Sequence, residues 1–248
     1  MDSATSRRHD LRTLTSVDIR KAFEKVEHET NIKNSKLILI TSEYYDHALQ
    51  LLKDHFVHDE PMAIAFDMQW DIDAEHFWRG VYNEDLSIGL CEEDTGKLIA
   101  IRGIKVIVDG SDPEGNDDQH IMDERLMQGL TFMKYCDEQS KFFQHFKTDC
   151  AIQFLGLVVH DRHRNKGFAS QLFEAALNFV QNLGVSQVVV KGEGSSIFSQ
   201  KIYEKFGFEK IYEKVFADYG KENNIALKDT GEHLKYVAYG KCYQAITV

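Results

Sequence analysis

The chain has 248 residues, of which 43% are hydrophobic and 11% aromatic, enough to bury a full core and to form one domain, or one domain plus a tail. Its 29 basic and 40 acidic side chains leave a net charge of −11, which argues against nucleic acid as the main partner and suits either plain solubility or attraction of a cationic ligand. Cys91, Cys136, Cys150 and Cys242 make no C-x-x-C pair, no apolar segment follows Arg7-Arg8, and no run nears the roughly 18 apolar residues of a membrane span, so a disulfide scaffold, a signal peptide and a bilayer helix are all disfavoured and a cytoplasmic protein is expected.

Residues 1–35 read as a polar extension, partly disordered, with a short helix around Val17–His28, and a single domain is expected over 36–248. Leu37–Ile40 reads as a strand, and Tyr44–Phe56 as an amphipathic helix with Ala48, Leu51, Leu52 and Phe56 on its apolar face. A second helical region follows Pro61. Leu86–Leu90 and Leu98–Val108 form an antiparallel pair joined by a polar turn ending at Gly96. Gly110–Asp118 is acidic and rich in turn formers, and Gln119–Lys147 is helical. Then come strand Ile152–Val159, helix Gly167–Leu183, strand Gln187–Lys191, helix Ser195–Phe206, strand Phe208–Phe216 and a last strand near Leu234–Cys242. The alternation suits an α/β fold with a mixed sheet covered by helices.

Between Val159 and Ala169 the chain reads VHDRHRNKGFA, with Arg164, Gly167 and Ala169 in the order R-x-x-G-x-A. A strand that enters a glycine turn and then a helix leaves unpaired N–H groups and a positive dipole end together, a suitable seat for a diphosphate. Arg164 adds a charge-assisted donor, and Gly167 lets the backbone approach. A plain β-α turn with a solvated arginine is the competing reading. No G-x-x-x-x-G-K-[ST] loop is present. The run Gly192-Glu193-Gly194-Ser195-Ser196-Ile197 imitates a dinucleotide fingerprint, but Ile197 puts a branched side chain where helix and strand must approach closely.

Some thirty-five residues beyond the arginine motif stands Tyr203-Glu204-Lys205-Phe206-Gly207-Phe208. The two segments together resemble the GNAT superfamily of N-acetyltransferases, with its R-x-x-G-x-[GA] motif and a following Y-E-K-x-G-F. His58-Asp59-Glu60-Pro61, Gly194–Ser199 and Phe216-Ala217-Asp218-Tyr219 narrow the resemblance to the insect-type arylalkylamine N-acetyltransferases, across roughly Lys36 to Tyr243. The resemblance implies a GNAT fold, a central mixed, mostly antiparallel twisted sheet flanked by helices in which a splayed parallel strand pair binds acetyl-coenzyme A, and transfer of the acetyl group to a primary amine.

By that resemblance, Leu157, Val158, Val159, Arg164, Asn165, Lys166, Gly167, Phe168, Ala169 and Ser170 are the expected contacts of acetyl-coenzyme A, and Glu60, Ser195, Ser199 and Tyr203 the expected catalytic groups. Glu60 matches the base that takes the amine proton, through water; a carboxylate before Pro61 is equally a helix-start signal. Ser195, Ser199 and Tyr203 are spaced by four, as along one stripe of a helix, beside Phe198, Ile202 and Phe206. Tyr203 is the expected acid toward the coenzyme A sulfur and the serines a relay, with the reverse assignment open. Ser195 is also a natural N-cap, and Tyr203 also fits a core position.

Departures from the family pattern fall mainly on substrate recognition: Gly194 for cysteine, Ile197-Phe198 for a polar-aromatic pair, Asn165 for glycine, and Met62-Ala63 after Pro61. Phe66, Trp70, Phe77 and Trp78 could line a ring-shaped amine pocket, although aromatic residues at helical spacing are more often core. Polyamines stay open as substrates, as does a noncatalytic coenzyme A-binding module. His55, His58 and Glu60 lack the fourth ligand of a metal frame, so no metal is expected, and His160 and His163 flank the phosphate loop. The expected partner is a small-molecule amine, with no nucleic acid or membrane, and the chain is expected as a monomer or weak homodimer.

Overall fold

The computed structural model describes residues 10–110 and 123–244. The expected acidic turn at Gly110–Asp118, beyond its first residue, and the start of the helical region at Gln119 therefore lie outside the described residues. Seven strands form one sheet in the order β1-β2-β3-β4-β5-β7-β6: β1 (Ser35–Leu39), β2 (Ile88–Glu92), β3 (Leu98–Val108), β4 (Cys150–Val159), β5 (Gln187–Gly194), β6 (Glu209–Val215) and β7 (Lys235–Gln244). All neighbours are antiparallel except β4 and β5, which run parallel.

Period-two alternation divides the apolar side chains between the two faces. Leu37, Leu39, Ile152, Phe154, Val188 and Val190 enter the main core beneath α1 (Ser16–Glu29) and α7 (Phe168–Gln181). Ile38, Ile40, Ile101, Leu155 and Val158 face the other way, against α2 (Tyr45–His55) and α4 (Ile72–Tyr82). A third cluster joins α3 (Pro61–Ala65), α5 (Glu124–Ser140) and α9 (Phe216–Asn223) around Phe132.

Helix α1 starts at a reciprocal Thr15–Asp18 capping box and buries Ile19, Ala22, Phe23 and Val26, one apolar stripe at i, i+3, i+4 and i+7. Phe23 meets Phe179 of α7 edge to face at 6.1 Å. The described part of the first 35 residues is thus integral to the main core.

Two helical regions are broken where the sequence pattern reads as continuous. The segment after Pro61 divides into α3 and α4 around Asp67 at φ 54°, and the one ending at Lys147 into α5 and α6 (Phe142–Phe146) at Lys141, φ 48°. Phe216-Ala217-Asp218-Tyr219 opens the short helix α9.

Candidate active site

Strands β4 and β5 stay together for only three pairs, Ile152–Val190, Gln153–Lys191 and Phe154–Gly192, and then part. Beyond that point β4 remains zipped to β3 as far as Val159–Ala100, and β5 to β7 as far as Gly194–Val237. A bulge helps to force the separation: Arg102 pairs with Leu157 and Gly103 with Leu155, leaving Gly156 as the extra residue at φ 44°. The result is a wedge whose β4 wall, Leu157 to Val159, has no strand opposite it. Its main-chain groups on that side are available to an extended guest.

At the open end of β4, Gly167 adopts φ 85° and leads into α7, with no side chain capping the helix. Asn165 is also left-handed, at φ 61°. The first-turn amides of a 14-residue helix therefore point out of a glycine turn, as anion binding requires. Lys166 is exposed beside them, and Lys205 reaches over from α8 (Ile197–Lys205) to donate to the Ser170 hydroxyl at 2.6 Å. Sequence reasoning passed over Lys205.

Arg164 is placed at this loop, but its guanidinium, on a side chain 37% exposed, is already engaged by protein groups. Nε donates to the Val159 carbonyl at 3.1 Å, Nη2 to the His55 carbonyl at 2.7 Å, and the head forms ion pairs with Asp59 and Asp161. One arginine thereby ties the loop between β4 and α7 to the segment that carries Glu60. His55 and His160 lie beside it with ring centroids 4.0 Å apart and planes tilted by 35°, and burial, together with the neighbouring His55 and His163, holds the His160 imidazole below its ordinary value. Among the described residues no group of three or more His, Cys, Asp or Glu is arranged to hold a metal ion.

Glu60 is the N-cap of α3 and accepts the Ala63 amide at 2.6 Å, with Pro61 in the first turn. It is only 9% exposed. Burial pushes its carboxyl above the usual carboxylate range and nearby Glu193 adds to this, while hydrogen bonds from Ser195 and from the Ala63 and Met62 amides pull the other way. The helix-start role thus coexists with a buried carboxyl of raised pKa. Glu60 and Ser195, far apart in sequence, are brought near one another, and the hydroxyl favours the charged form of the carboxylate.

The three hydroxyls do not share a helical stripe. The N-cap of α8 is Ser196, not Ser195, because Ser196 holds extended dihedrals of φ −99° and ψ 150°, and the helix begins at Ile197. Ser195 thus lies before the helix and is free to meet Glu60. Ser199 closes the capping box, donating to the Ser196 carbonyl at 2.9 Å and accepting the Ser196 amide at 3.3 Å. Tyr203 is 1% exposed, stacked on Tyr239 at 4.9 Å and so close to Gly192 that a Cβ there would lie 2.1 Å from its Cε1. Its oxygen accepts from Arg102 and from the Glu193 amide.

A polar row that sequence reasoning missed crosses the face nearest Glu60. Lys105, Gln153 and Lys191 are register partners on β3, β4 and β5. Lys191, 3% exposed, forms ion pairs with Asp137 of α5 and with Glu193 at 3.1 Å, and Gln153 donates to the same Glu193 oxygen at 2.7 Å. The signal was legible: charges inside the otherwise apolar runs 98–108 and 187–194 need buried partners. Of the aromatic set, Phe77 and Trp78 meet edge to face at 5.4 Å near β3, whereas Phe66 packs away from them on Phe132 at 5.3 Å; a pocket built from all four rings is not formed.

Residues 115–222 match the family model of the acetyltransferase (GNAT) domain. The GNAT fold is shared with solved structures. A mosquito arylalkylamine N-acetyltransferase-like 5b is 17% identical and aligns over 84% of this chain and 100% of its own, with TM-score 0.75. Arylalkylamine N-acetyltransferase 2 from Aedes aegypti is 22% identical over 86% and 100%, with TM-score 0.73. A polyamine N-acetyltransferase of Drosophila melanogaster, described as forming N-acetylagmatine, is 11% identical over 84% and 99%, with TM-score 0.70. Within the GNAT fold of this chain, the parallel pair β4–β5 is the one that splays. No described helix is long and apolar enough to cross a membrane.

Proposed function

We propose that this protein transfers the acetyl group of acetyl-coenzyme A to a small primary amine, with arylalkylamines the favoured class. The observation that carries the reading is the buried Glu60 carboxylate, capping a helix start through the Ala63 amide and pushed upward in pKa by its burial, in a fold whose strands β4 and β5 part into a wedge. A carboxyl poised upward is a better proton acceptor for an ammonium group than an ordinary one.

In this reading the cosubstrate's diphosphate lies on the amides after Gly167, with Arg164, Asn165, Lys166, Phe168, Ala169 and Ser170 around it, and its pantetheine arm bonds the free edge of Leu157 to Val159. Glu60 takes the amine proton through water. The amine nitrogen then attacks the thioester carbon, the Leu157–Val159 amides hold the developing oxyanion, the C–S bond breaks, and Tyr203 returns a proton to sulfur. Ser195 holds Glu60, and Ser199 holds the helix start that presents Ser195. No covalent acyl-enzyme is required.

Polyamines are the second class, favoured by the likeness to the Drosophila polyamine enzyme and by Glu193 standing near Glu60. The experiment is a panel of aryl amines and polyamines assayed with acetyl-coenzyme A, wild type against Glu60→Gln. Turnover by the wild type that Glu60→Gln loses supports the reading. A wild type that binds coenzyme A, seen as a raised Tm, yet acetylates no amine is a noncatalytic coenzyme A-binding module instead.

A further inference from the structure

Arg102 stands on β3 opposite Leu157, at the bulge that opens the wedge, and is 3% exposed. Aromatic rings surround its guanidinium carbon: Phe154 at 4.7 Å, Phe173 at 5.2 Å and Tyr203 at 5.6 Å. Nη2 donates to the Tyr203 oxygen, and Nε is buried without a partner. Among the described residues it has no carboxylate in ion-pair contact; Glu193 acts on it through space. A buried cation without a counter-ion costs several kcal/mol even after relaxation, so its place in the fold makes sense where negative charge is brought to it.

The Tyr203 oxygen supplies the direction. It accepts from Arg102 on one side and from the Glu193 amide, at 3.3 Å, on the other. A phenolic oxygen with both acceptor sites taken by donors must point its proton away from both. Glu193 follows Gly192, the last β5 residue paired with β4, so this oxygen sits at the apex where the strands part. The groups that face it are Arg102 from β3, Glu193 from β5, Tyr239 from β7 with Glu204 bonded behind it at 3.3 Å, and the apolar rings of Phe173 and Phe208.

We propose that Arg102 is a positioning residue that aims the Tyr203 proton into the wedge and supplies the counter-charge to the phenolate left when that proton leaves. This rests on the acetyl-transfer reading. The C–S bond breaks with its electron pair on sulfur, the phenolic proton moves to that sulfur, the nitrogen of the adduct gives up its second proton to solvent, and the phenolate is held by Arg102 until a solvent proton replaces the one it lost. Glu60 discharges its own proton to solvent.

The test compares Arg102→Met, Arg102→Lys, Tyr203→Phe and the double variant Arg102→Met/Tyr203→Phe. The titration of Tyr203 is read from the tyrosinate ultraviolet spectrum as the difference between each protein and its Tyr203→Phe counterpart. A neighbouring cation favours the phenolate, so Arg102→Met moves this titration, and the alkaline limb of kcat, to higher pH, and Arg102→Lys restores part of the shift. With Arg102→Met kcat falls roughly 10- to 100-fold, short of the ~10²- to 10⁴-fold scale of an acid–base group lost outright. KM for acetyl-coenzyme A holds, Tm is kept or raised, and the double variant is no slower than Tyr203→Phe.

An unmoved Tyr203 titration in Arg102→Met, or losses that multiply in the double variant, overturns the proposal. If the wild type acetylates no amine, the acetyl-transfer reading falls, while the spectroscopic titration still decides whether Arg102 governs the Tyr203 proton.

Discussion

Trp78 covers Gly156 so closely that a Cβ on the glycine would lie 2.4 Å from the indole Cη2. The same indole also limits Gly103, where a Cβ would come within 3.3 Å of Cζ3. One ring thus fits both sides of the β4 bulge, with Phe56 edge-on to it at 5.7 Å. Gly156→Ala faces both this contact and a left-handed φ. It is expected to cost about 1–3 kcal/mol from backbone strain alone, read as a fall in Tm, and to weaken coenzyme A binding by reshaping the wedge wall. A variant of unchanged Tm and affinity would show that the bulge is not needed.

Glu60→Gln should reduce kcat by at least roughly 100-fold if Glu60 is the base. The pH dependence has two signs to check. Activity of the wild type falls as pH drops through the raised pKa of Glu60, because the base is then protonated. Stability runs the other way: a carboxyl whose folded pKa lies above its unfolded value binds more protons in the native state, so the wild type loses stability as pH rises from the ordinary carboxylate range through the folded pKa. Glutamine does not titrate. The Tm of Glu60→Gln relative to wild type should therefore climb with pH across that window, superimposed on a constant loss of about 1 kcal/mol for the weaker cap.

Arg164 presents a competition. Its guanidinium is held by Asp59 and Asp161 as well as by two carbonyls, and a diphosphate would have to share or displace those carboxylates. Asp161→Asn removes one competitor and should tighten coenzyme A binding, whereas Arg164→Gln should weaken it by roughly tenfold or more, the scale of one charge-assisted hydrogen bond. Calorimetric titration with coenzyme A checks both, and a tighter Arg164→Gln variant would remove Arg164 from the phosphate site.

Lys191 should be among the least replaceable charges in the chain. Burial disfavours its ammonium, but Glu193 and Asp137 overcome this and hold its pKa above the ordinary lysine value. Lys191→Met strands the nearly buried Glu193 carboxylate and unpairs the part-exposed Asp137, and should cost up to about 3–5 kcal/mol. Adding Asp137→Asn should recover part of the lost Tm, because one of the unpaired charges is then gone.

The strands and the glycine turn before α7 were readable because each rests on local pattern. The run 98–108 alternates its faces, and Gly167 marks the turn before α7. Three other features depend on partners distant in sequence. Lys141 in a left-handed conformation splits α5 from α6 although nothing at that residue requires a break. Ser196 rather than Ser195 caps α8 because β5 runs on to Gly194 and the chain turns only afterwards. Arg102 and Lys191 were visible as charges in apolar strands, but that one would meet a phenol and the other two carboxylates emerges only when β3, β5, α5 and α8 are brought together.

The flat fit of Tyr203 over Gly192 has an evolutionary corollary. A methyl group at position 192 would overlap the ring at 2.1 Å, and a smaller residue at position 203 would leave a hole beside Tyr239. Neither site can drift alone. Among natural descendants of this sequence, the two should covary, with glycine retained wherever an aromatic ring occupies the partner position and larger residues admitted only where that ring has been lost.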